Sequence, residues 1–187
     1  MIKERKPNRL KGYDYSSDNL YFITSCVQNR ICCFGKIVVV TGRDPSQQMI
    51  LNEWGAIAEN QWYWLSEQYP YVLLHAFIVM PNHIHGIIEI NRNNVGTGRD
   101  PSLQQPKIKS LSELIGAYKT TVSKQIHLLE RTDGSQCRDG SRPVPTTFAW
   151  QRSFYEHIIR DEKSFETISD YILNNPINWE QDNLHFL

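Results

Sequence analysis

The sequence lacks the features of several protein classes. Its 187 residues contain no apolar run near the ~18 residues that a membrane span requires, and residues 1–11 lack the apolar centre of a secretory signal. Neither charge sign is in excess, because Lys plus Arg and Asp plus Glu both number 20. This balance excludes a histone-like polycation, but it leaves open a protein with one basic face. We therefore expect a cytoplasmic protein without a membrane partner.

Cysteine is scarce and has no metal-binding spacing. The four cysteines are Cys26, Cys32, Cys33 and Cys137, and none forms a C-x-x-C pair. This usage favours free thiols in a reducing compartment over a disulfide framework. The chain is 40% hydrophobic and 11% aromatic, which is enough for the core of one domain and excludes a fully disordered chain.

Strand and helix patterns alternate along the chain. Strand-like runs cover 20–27, 34–40, 71–79, 83–90 and 148–159, and helical spacing covers 50–65, 110–129 and 161–175. The short turn Met80-Pro81-Asn82 joins two of the strand runs as a hairpin, which implies antiparallel pairing. The predicted fold class is α+β, a mainly antiparallel sheet with helices packed on it.

Three segments read as loops inserted into the main domain, near 41–48, 97–107 and 132–146. The sequence Thr-Gly-Arg-Asp-Pro-Ser occurs at 41–46 and again at 97–102, and a third loop contains Arg-Asp-Gly-Ser-Arg-Pro-Val at 138–144. One permitted back-translation makes the third loop the reverse complement of the other two in another frame. Our hypothesis is that a palindromic DNA element entered the gene three times; ordinary polar loops of coincidental similarity are the alternative. The chain is expected to divide into a basic arm at 1–19, the main domain at 20–180 and a tail at 181–187.

Two short motifs carry side chains suited to catalysis. His83 and His85 project from one face of a predicted strand, so both imidazoles can bind one metal ion. Tyr171 and Asn175 lie four residues apart on a predicted helix and share a face. Taken singly, such residues more often pack in a core or end a helix. Only the two motifs together indicate a catalytic site.

Together the motifs resemble a known family. Met80-Pro81-Asn82-His83-Ile84-His85-Gly86 and the distal Tyr171-Ile172-Leu173-Asn174-Asn175-Pro176 resemble the single-tyrosine HUH transposases, above all the branch called REP-associated tyrosine transposases. Residues 150–160 also resemble the segment that precedes the catalytic helix of that family. The resemblance extends over about 20–179, interrupted by the three loops. It implies a ferredoxin-like, RRM-like sheet with the two histidines on a central strand.

The resemblance also implies an activity. Members nick and rejoin single-stranded DNA, often a hairpin, through a 5′-phosphotyrosine, in transposition or in the mobilisation of palindromic repeats. Tyr171 would be the catalytic nucleophile, and His83, His85 and Asn175 would hold Mg²⁺ or Mn²⁺. In insertion-sequence members a glutamine often occupies the position of Asn175. The family includes monomers and dimers, so a homodimer stays open, and action on DNA implies a nucleoid-associated location.

Several assignments keep alternatives. The expected DNA-binding residues are Lys119, Lys124, Arg152 and Arg160, although a solvated helix face explains the lysines equally well. Tyr155 is a rival nucleophile because it lies beside His157, whereas Tyr171 has the helical partner. His75 and His157 are second candidates near the metal, although packed or exposed imidazoles are more common. The alternative functions are a DNA-hairpin-binding protein without catalysis and a metal hydrolase that leaves a free 5′-phosphate.

Overall fold

The computed structural model describes residues 9–40, 46–94, 107–132, 148–182 and 184–185. Six strands and three α-helices run through these residues. The strands are β1 (Asn19–Cys26), β2 (Gly35–Val40), β3 (Ser46–Leu51), β4 (Val72–Met80), β5 (His83–Ile90) and β6 (Tyr155–Ile159). The helices are α1 (Glu53–Gln68), α2 (Leu111–Thr132) and α3 (Glu162–Leu173).

Four strands form one antiparallel sheet in the order β4-β5-β1-β6. Apart from β2 and β3, the elements follow the order β1-α1-β4-β5-α2-β6. This is the βαββαβ order of the ferredoxin-like fold. The predicted α+β class is confirmed, and the histidine pair lies on the central strand β5. The strands β2 and β3 form a separate hairpin inserted between β1 and α1.

The two faces of the sheet bury different cores. Alternation along β5 directs Ile88 into the larger core, which also contains the apolar faces of α1 and α2. Ile87 points to the opposite face and joins a smaller core beneath α3. His83 and His85 share the parity of Ile87, so the strand presents both imidazoles on the α3 side.

Gly86 allows α1 to close against β5. Trp62 of α1 is fully buried and stacks on Phe77 of β4 with ring centroids 4.4 Å apart. A Cβ atom added at residue 86 would overlap this indole, with Cη2 only 2.6 Å away. The residue after the two histidines is therefore glycine because the tryptophan ring occupies the space of a side chain.

The first helix begins later than its periodicity predicts. Asn52 accepts a hydrogen bond from the Gly55 amide at 3.0 Å, which makes it the N-cap of α1. Ile50 and Leu51, which the sequence pattern placed in the helix, extend β3, where Leu51 pairs with Gly35. Cross-strand pairing and the cap outweigh the helical spacing of these two residues.

Side-chain caps fix the starts of the other two helices. Ser110 and Glu113 form a capping box at the start of α2, because Glu113 Oε2 accepts from both the amide and the hydroxyl of Ser110 at 2.8 Å. Asp161 accepts from the Ser164 amide at 2.8 Å and caps α3. α3 ends at Leu173, two residues before the predicted limit at Asn175.

The strand predicted over 148–159 is realised only in its second half, as β6. Before β6 the chain leaves the regular ladder, and Trp150 makes an isolated bridge with Val27. The carbonyls of Gln151 and Ser153 instead accept hydrogen bonds from the Lys119 ammonium at 2.9 and 3.0 Å. This irregular segment joins the α2 side of the molecule to the edge strand β6.

Most residues of the three predicted inserted loops lie outside the part of the chain that the structure describes. These loop residues are 41–45, 97–106 and 133–146, whereas residues 46–48 belong to β3 and Thr132 ends α2. Of the predicted arm, residues 1–8 lie outside as well. Arg9 is described, and its Nε lies 3.7 Å from a carboxylate oxygen of the buried Glu156.

Within the described residues, no helix combines the length and apolar character needed to cross a bilayer. Cys26, Cys32 and Cys33 are free thiols. Cys137 lies outside the part of the chain that the structure describes.

Candidate active site

The two histidines of β5 face each other beneath α3. Their Nε2 atoms lie 3.0 Å apart, and both side chains are buried. Burial lowers the pKa of His83 to about 3, with the Arg30 charge adding to this effect. Burial also lowers the pKa of His85 well below its usual range. Both imidazoles are therefore neutral near pH 7, which is the protonation state that a metal ligand requires.

Asn82 determines which nitrogen of His83 carries the proton. Its amide nitrogen donates to the carbonyls of Arg30 and Leu184 at 3.2 and 2.8 Å. Its carbonyl oxygen therefore faces His83 Nδ1 at 2.7 Å, and an oxygen acceptor there requires an N–H donor. His83 Nε2 is left as a lone pair that points into the site.

Thr24 contacts the imidazole of His85 from the neighbouring strand. Its hydroxyl lies 2.8 Å from His85 Nδ1, across the β1–β5 pair in which Thr24 is the register partner of His85. A hydroxyl can donate or accept, so it supports either tautomer of this imidazole. The Nε2 lone pair of His85 is therefore available whenever Nδ1 holds the proton and donates it to Thr24.

Asp182 is a third donor that the sequence analysis missed. Its carboxylate is 8% exposed, and Oδ2 lies 3.9 Å from His83 Nε2. Ligand atoms of His83, His85 and Asp182 all lie within 4.8 Å of one another. Since His83 is neutral, the short distance between His83 and Asp182 brings two lone-pair donors together and is not an ion pair. The only sequence signal was an acidic residue in the segment predicted to be a tail.

Tyr171 reaches the same point from α3. Its hydroxyl lies 3.3 Å from His85 Nε2, and its ring is 46% exposed to solvent. Burial raises the pKa of the phenol, and the Asp182 charge raises it further. A hydrogen bond from the Asn175 side chain partly opposes both effects. The site thus holds a protonated phenol, accessible from solvent, beside an imidazole pair.

Asn175 contributes a buried side chain that interacts with Tyr171. It follows the end of α3 and is 1% exposed, and its Oδ1 has no hydrogen-bond partner. Asp182 Oδ2 is likewise buried without one. Unpaired buried oxygens are costly, and a cation would satisfy them. The two imidazole nitrogens and the Asp182 carboxylate form a donor set that fits a divalent metal ion.

Three of the four predicted DNA-binding residues line one groove. Lys119, Lys124 and Arg152 surround a groove of about 720 Å³ between α2 and residues 148–152, which His127 and Arg131 also line. Burial lowers the pKa of Lys119 to about 8. Lys124, Arg131 and Arg152 make this groove positively charged, and we call it the basic groove.

Arg160 lies in a different groove, on the β4–β5–α3 side of the sheet. That groove of about 710 Å³ is also lined by His75, Glu89 and Asp161. His75 Nε2 lies 2.9 Å from Glu89 Oε2, so this imidazole is engaged with a carboxylate on the neighbouring strand. The structure therefore separates Arg160 from the basic groove.

No protein-family model matches the chain. An uncharacterized protein of Haemophilus influenzae is 39% identical over 188 residues, which cover 98% of this chain and 94% of that protein. A second protein of the same organism, named "Putative REP-associated tyrosine transposase", is 23% identical over 167 residues, covering 88% of this chain and 73% of that protein. The chain is thus similar in sequence to a protein that carries the name of the REP-associated tyrosine transposases.

Among solved structures, a REP-associated tyrosine transposase bound to a REP hairpin aligns with a TM-score of 0.50 and 18% identity. The alignment covers 95% of this chain and 74% of that chain. This likeness shows a shared fold. The resemblance to the REP-associated tyrosine transposases, first seen in the motifs around His83 and Tyr171, is confirmed.

Proposed function

We propose that the protein is a metal-dependent enzyme that nicks and rejoins single-stranded DNA through a 5′-phosphotyrosine, in transposition or repeat mobilisation. One observation carries the proposal: the Tyr171 hydroxyl lies 3.3 Å from His85 Nε2, in a site that also holds His83 and Asp182. A nucleophilic hydroxyl beside a set of metal ligands is the arrangement that phosphoryl transfer requires.

His83, His85 and Asp182 would hold Mg²⁺ or Mn²⁺, with Asn175 Oδ1 as a further donor. When bound, the ion supplies positive charge that stabilises the developing charge on the phosphate and orients its oxygens. Asn82 and Thr24 hold the imidazoles in place, so the protein contributes a site that is already oriented. A bound cation would neutralise the Asp182 carboxylate, and this would remove one of the effects that raise the pKa of Tyr171.

Tyr171 carries the covalent step. Its oxygen forms a bond to phosphorus while the bond from phosphorus to the 3′ oxygen breaks, so the phenol loses a proton and the leaving 3′ oxygen gains one. The 5′ end stays attached to the enzyme as a phosphotyrosine ester. A 3′-hydroxyl can attack that ester and restore a phosphodiester, because the bond energy has been retained.

The proposed partner is hairpin or palindromic DNA. A relative with the same fold is described as bound to a REP hairpin, and this chain has a groove lined by Lys119, Lys124 and Arg152. Cationic side chains along such a groove bind phosphates without reading sequence. The groove would therefore hold the DNA while the site around Tyr171 acts on one strand.

A denaturing gel tests the proposal. Labelled single-stranded hairpin DNA from the flanks of the gene, incubated with the protein and Mg²⁺, should give a covalent protein–DNA band. The band should disappear in Tyr171→Phe and with EDTA, and it should persist in Tyr155→Phe, which is the matched control for the rival nucleophile.

The raised pKa of Tyr171 favours an inert phenol, so a hairpin-binding protein without catalysis is the second candidate. In that case a native gel would show a DNA complex that survives Tyr171→Phe and chelation, with no covalent band. Cleaved DNA without a covalent band would indicate a metal hydrolase instead.

A further inference from the structure

Tyr155 is a large aromatic side chain left exposed beside the candidate active site. It begins the edge strand β6 and is 56% exposed, although the proposed chemistry gives it no part. Its register partner on β1 is Thr24, the residue that contacts His85. Cross-strand partners point to the same face of a sheet, so Tyr155 stands on the face that carries the histidines.

Phe22 links Tyr155 to the nucleophile. The Phe22 ring centroid is 6.2 Å from those of both Tyr155 and Tyr171, in edge-on contacts, and 5.5 Å from that of His85 in a stacked contact. Phe22 itself is 8% exposed. The two tyrosines therefore contact the same buried ring, and both are themselves exposed to solvent.

The segment before Tyr155 connects this place to the basic groove. Arg152 lines the groove and precedes Tyr155 by three residues, which span roughly 10 Å at most. A DNA strand held by phosphate contacts at Arg152 would thus meet the exposed Tyr155 ring before it reached Tyr171. Positive charge followed by an exposed aromatic ring is the combination that binds single-stranded nucleic acid.

We infer that Tyr155 stacks against a nucleobase of the single-stranded DNA, next to the phosphate that Tyr171 attacks. The inference rests on the proposed function and adds a binding residue to it. Stacking involves the face of the ring, so the phenol hydroxyl is dispensable. It is also tolerant of base identity, so Tyr155 would fix the position of the strand rather than its sequence.

A binding experiment with abasic DNA tests the inference. The probe is a fluorescein-labelled hairpin with a short single-stranded flank, in which each flank base is removed in turn, and binding is measured by anisotropy in EDTA to prevent cleavage. With the wild-type protein, loss of one particular base should weaken binding by about tenfold. In Tyr155→Ala, the intact probe should bind about tenfold more weakly, and removal of that base should have no further effect.

Matched variants separate stacking from folding. Tyr155→Phe should keep the effect of the abasic site, whereas Tyr155→Leu, which still covers Phe22, should abolish it. Tyr63→Ala removes a ring that is 53% exposed on α1 and should leave the effect intact. An abasic effect of equal size in the wild type, Tyr155→Ala and Tyr155→Leu would overturn the inference.

The adduct gel distinguishes this inference from the proposed function. If the covalent band forms but removal of the base weakens binding equally whatever residue occupies position 155, stacking is refuted and the proposed chemistry stands. An abasic effect that depends on Tyr155, without any covalent band, refutes the chemistry and supports the stacking position.

Discussion

At the scale of single residues, the candidate site is defined by where each polar atom finds a partner. Asn82 satisfies both hydrogens of its amide with backbone carbonyls and thereby turns its oxygen toward His83. Thr24 contacts the other imidazole. The buried oxygens of Asn175 and Asp182 have no such partners. This contrast between satisfied and unsatisfied atoms is what points to a cation.

Asp182 should contribute to metal affinity. Asp182→Asn removes the negative charge of the group, so the dissociation constant for Mn²⁺ should rise by about tenfold or more, measured by isothermal titration calorimetry. Glu180→Gln, an exposed substitution two residues away, should leave it unchanged. Equal affinities in Asp182→Asn and wild type would remove Asp182 from the ligand set.

The buried imidazoles should make the metal-free protein sensitive to acid. The folded pKa of His83 is about 3 against 6.5 as its ordinary value, so between these limits the unfolded chain binds a proton that the folded chain does not. Stability should therefore fall as pH falls below about 6.5, by up to about 1.4 kcal/mol per pH unit for this residue. Urea unfolding in EDTA from pH 7.5 to 5 measures the slope.

His157 provides the control for this slope, because it is exposed on β6. His157→Gln should keep the full acid sensitivity, and His83→Gln with His85→Gln should flatten it. A stability that does not change with pH in the wild type would contradict neutral, buried histidines.

The sequence predicted residues related by regular geometry and missed those joined by tertiary contacts. His83 and His85 are separated by one strand repeat, so local spacing was enough to pair them, whereas Asn175 follows the end of the helix on which it was expected. Asp182 has no periodic relation to either pair. It reaches the site because the chain turns back after α3, where Leu184 accepts a hydrogen bond from Asn82.

At the scale of elements, β5 serves the core with one face and the site with the other. Alternation along 83–90 was readable from the sequence, and so were the capping box of α2 and the β4–β5 hairpin. The β2–β3 hairpin was missed because Ile50 and Leu51 also fit the helical spacing of α1. Only the Asn52 cap and the pairing of these residues with β2 decide between these alternatives.

Two glycine substitutions should have opposite effects on stability. Gly86→Ala would force a methyl group into the Trp62 ring, so the free energy of unfolding should fall by about 1–3 kcal/mol. Gly116 lies on α2, and nothing lies within 4 Å of a Cβ added there. Gly116→Ala should therefore raise the free energy of unfolding by about 0.5–1 kcal/mol through helix propensity.

Chemical denaturation of both variants measures this difference. Destabilisation by Gly86→Ala should also weaken Mn²⁺ binding, because β5 positions both histidines. If Gly86→Ala were as stable as the wild type, the close packing of α1 on the histidine strand would be contradicted.

At the scale of the whole molecule, one chain brings all parts of the candidate site together. Tyr171 reaches His85 of the same chain, which predicts that the site is completed without a partner subunit. The basic groove lies on the α2 side and the site on the α3 side, and residues 150–155 join them at the β6 edge. DNA would therefore cross that edge to pass from one to the other.

A complementation experiment tests whether the site is completed within one chain. Tyr171→Phe and His85→Ala should each fail to form the covalent adduct, and a mixture of the two should fail as well. Circular dichroism confirms that each variant is folded. Recovery of adduct in the mixture would show that tyrosine and histidine come from different subunits of a dimer.

The most direct test of the account is to identify the residue that carries the DNA. Protein incubated with hairpin DNA and Mg²⁺ is digested with nuclease and trypsin, and the modified peptide is sequenced by mass spectrometry. The account predicts a nucleotide joined through its 5′-phosphate to Tyr171. A nucleotide on Tyr155, or one joined through its 3′-phosphate, would contradict it.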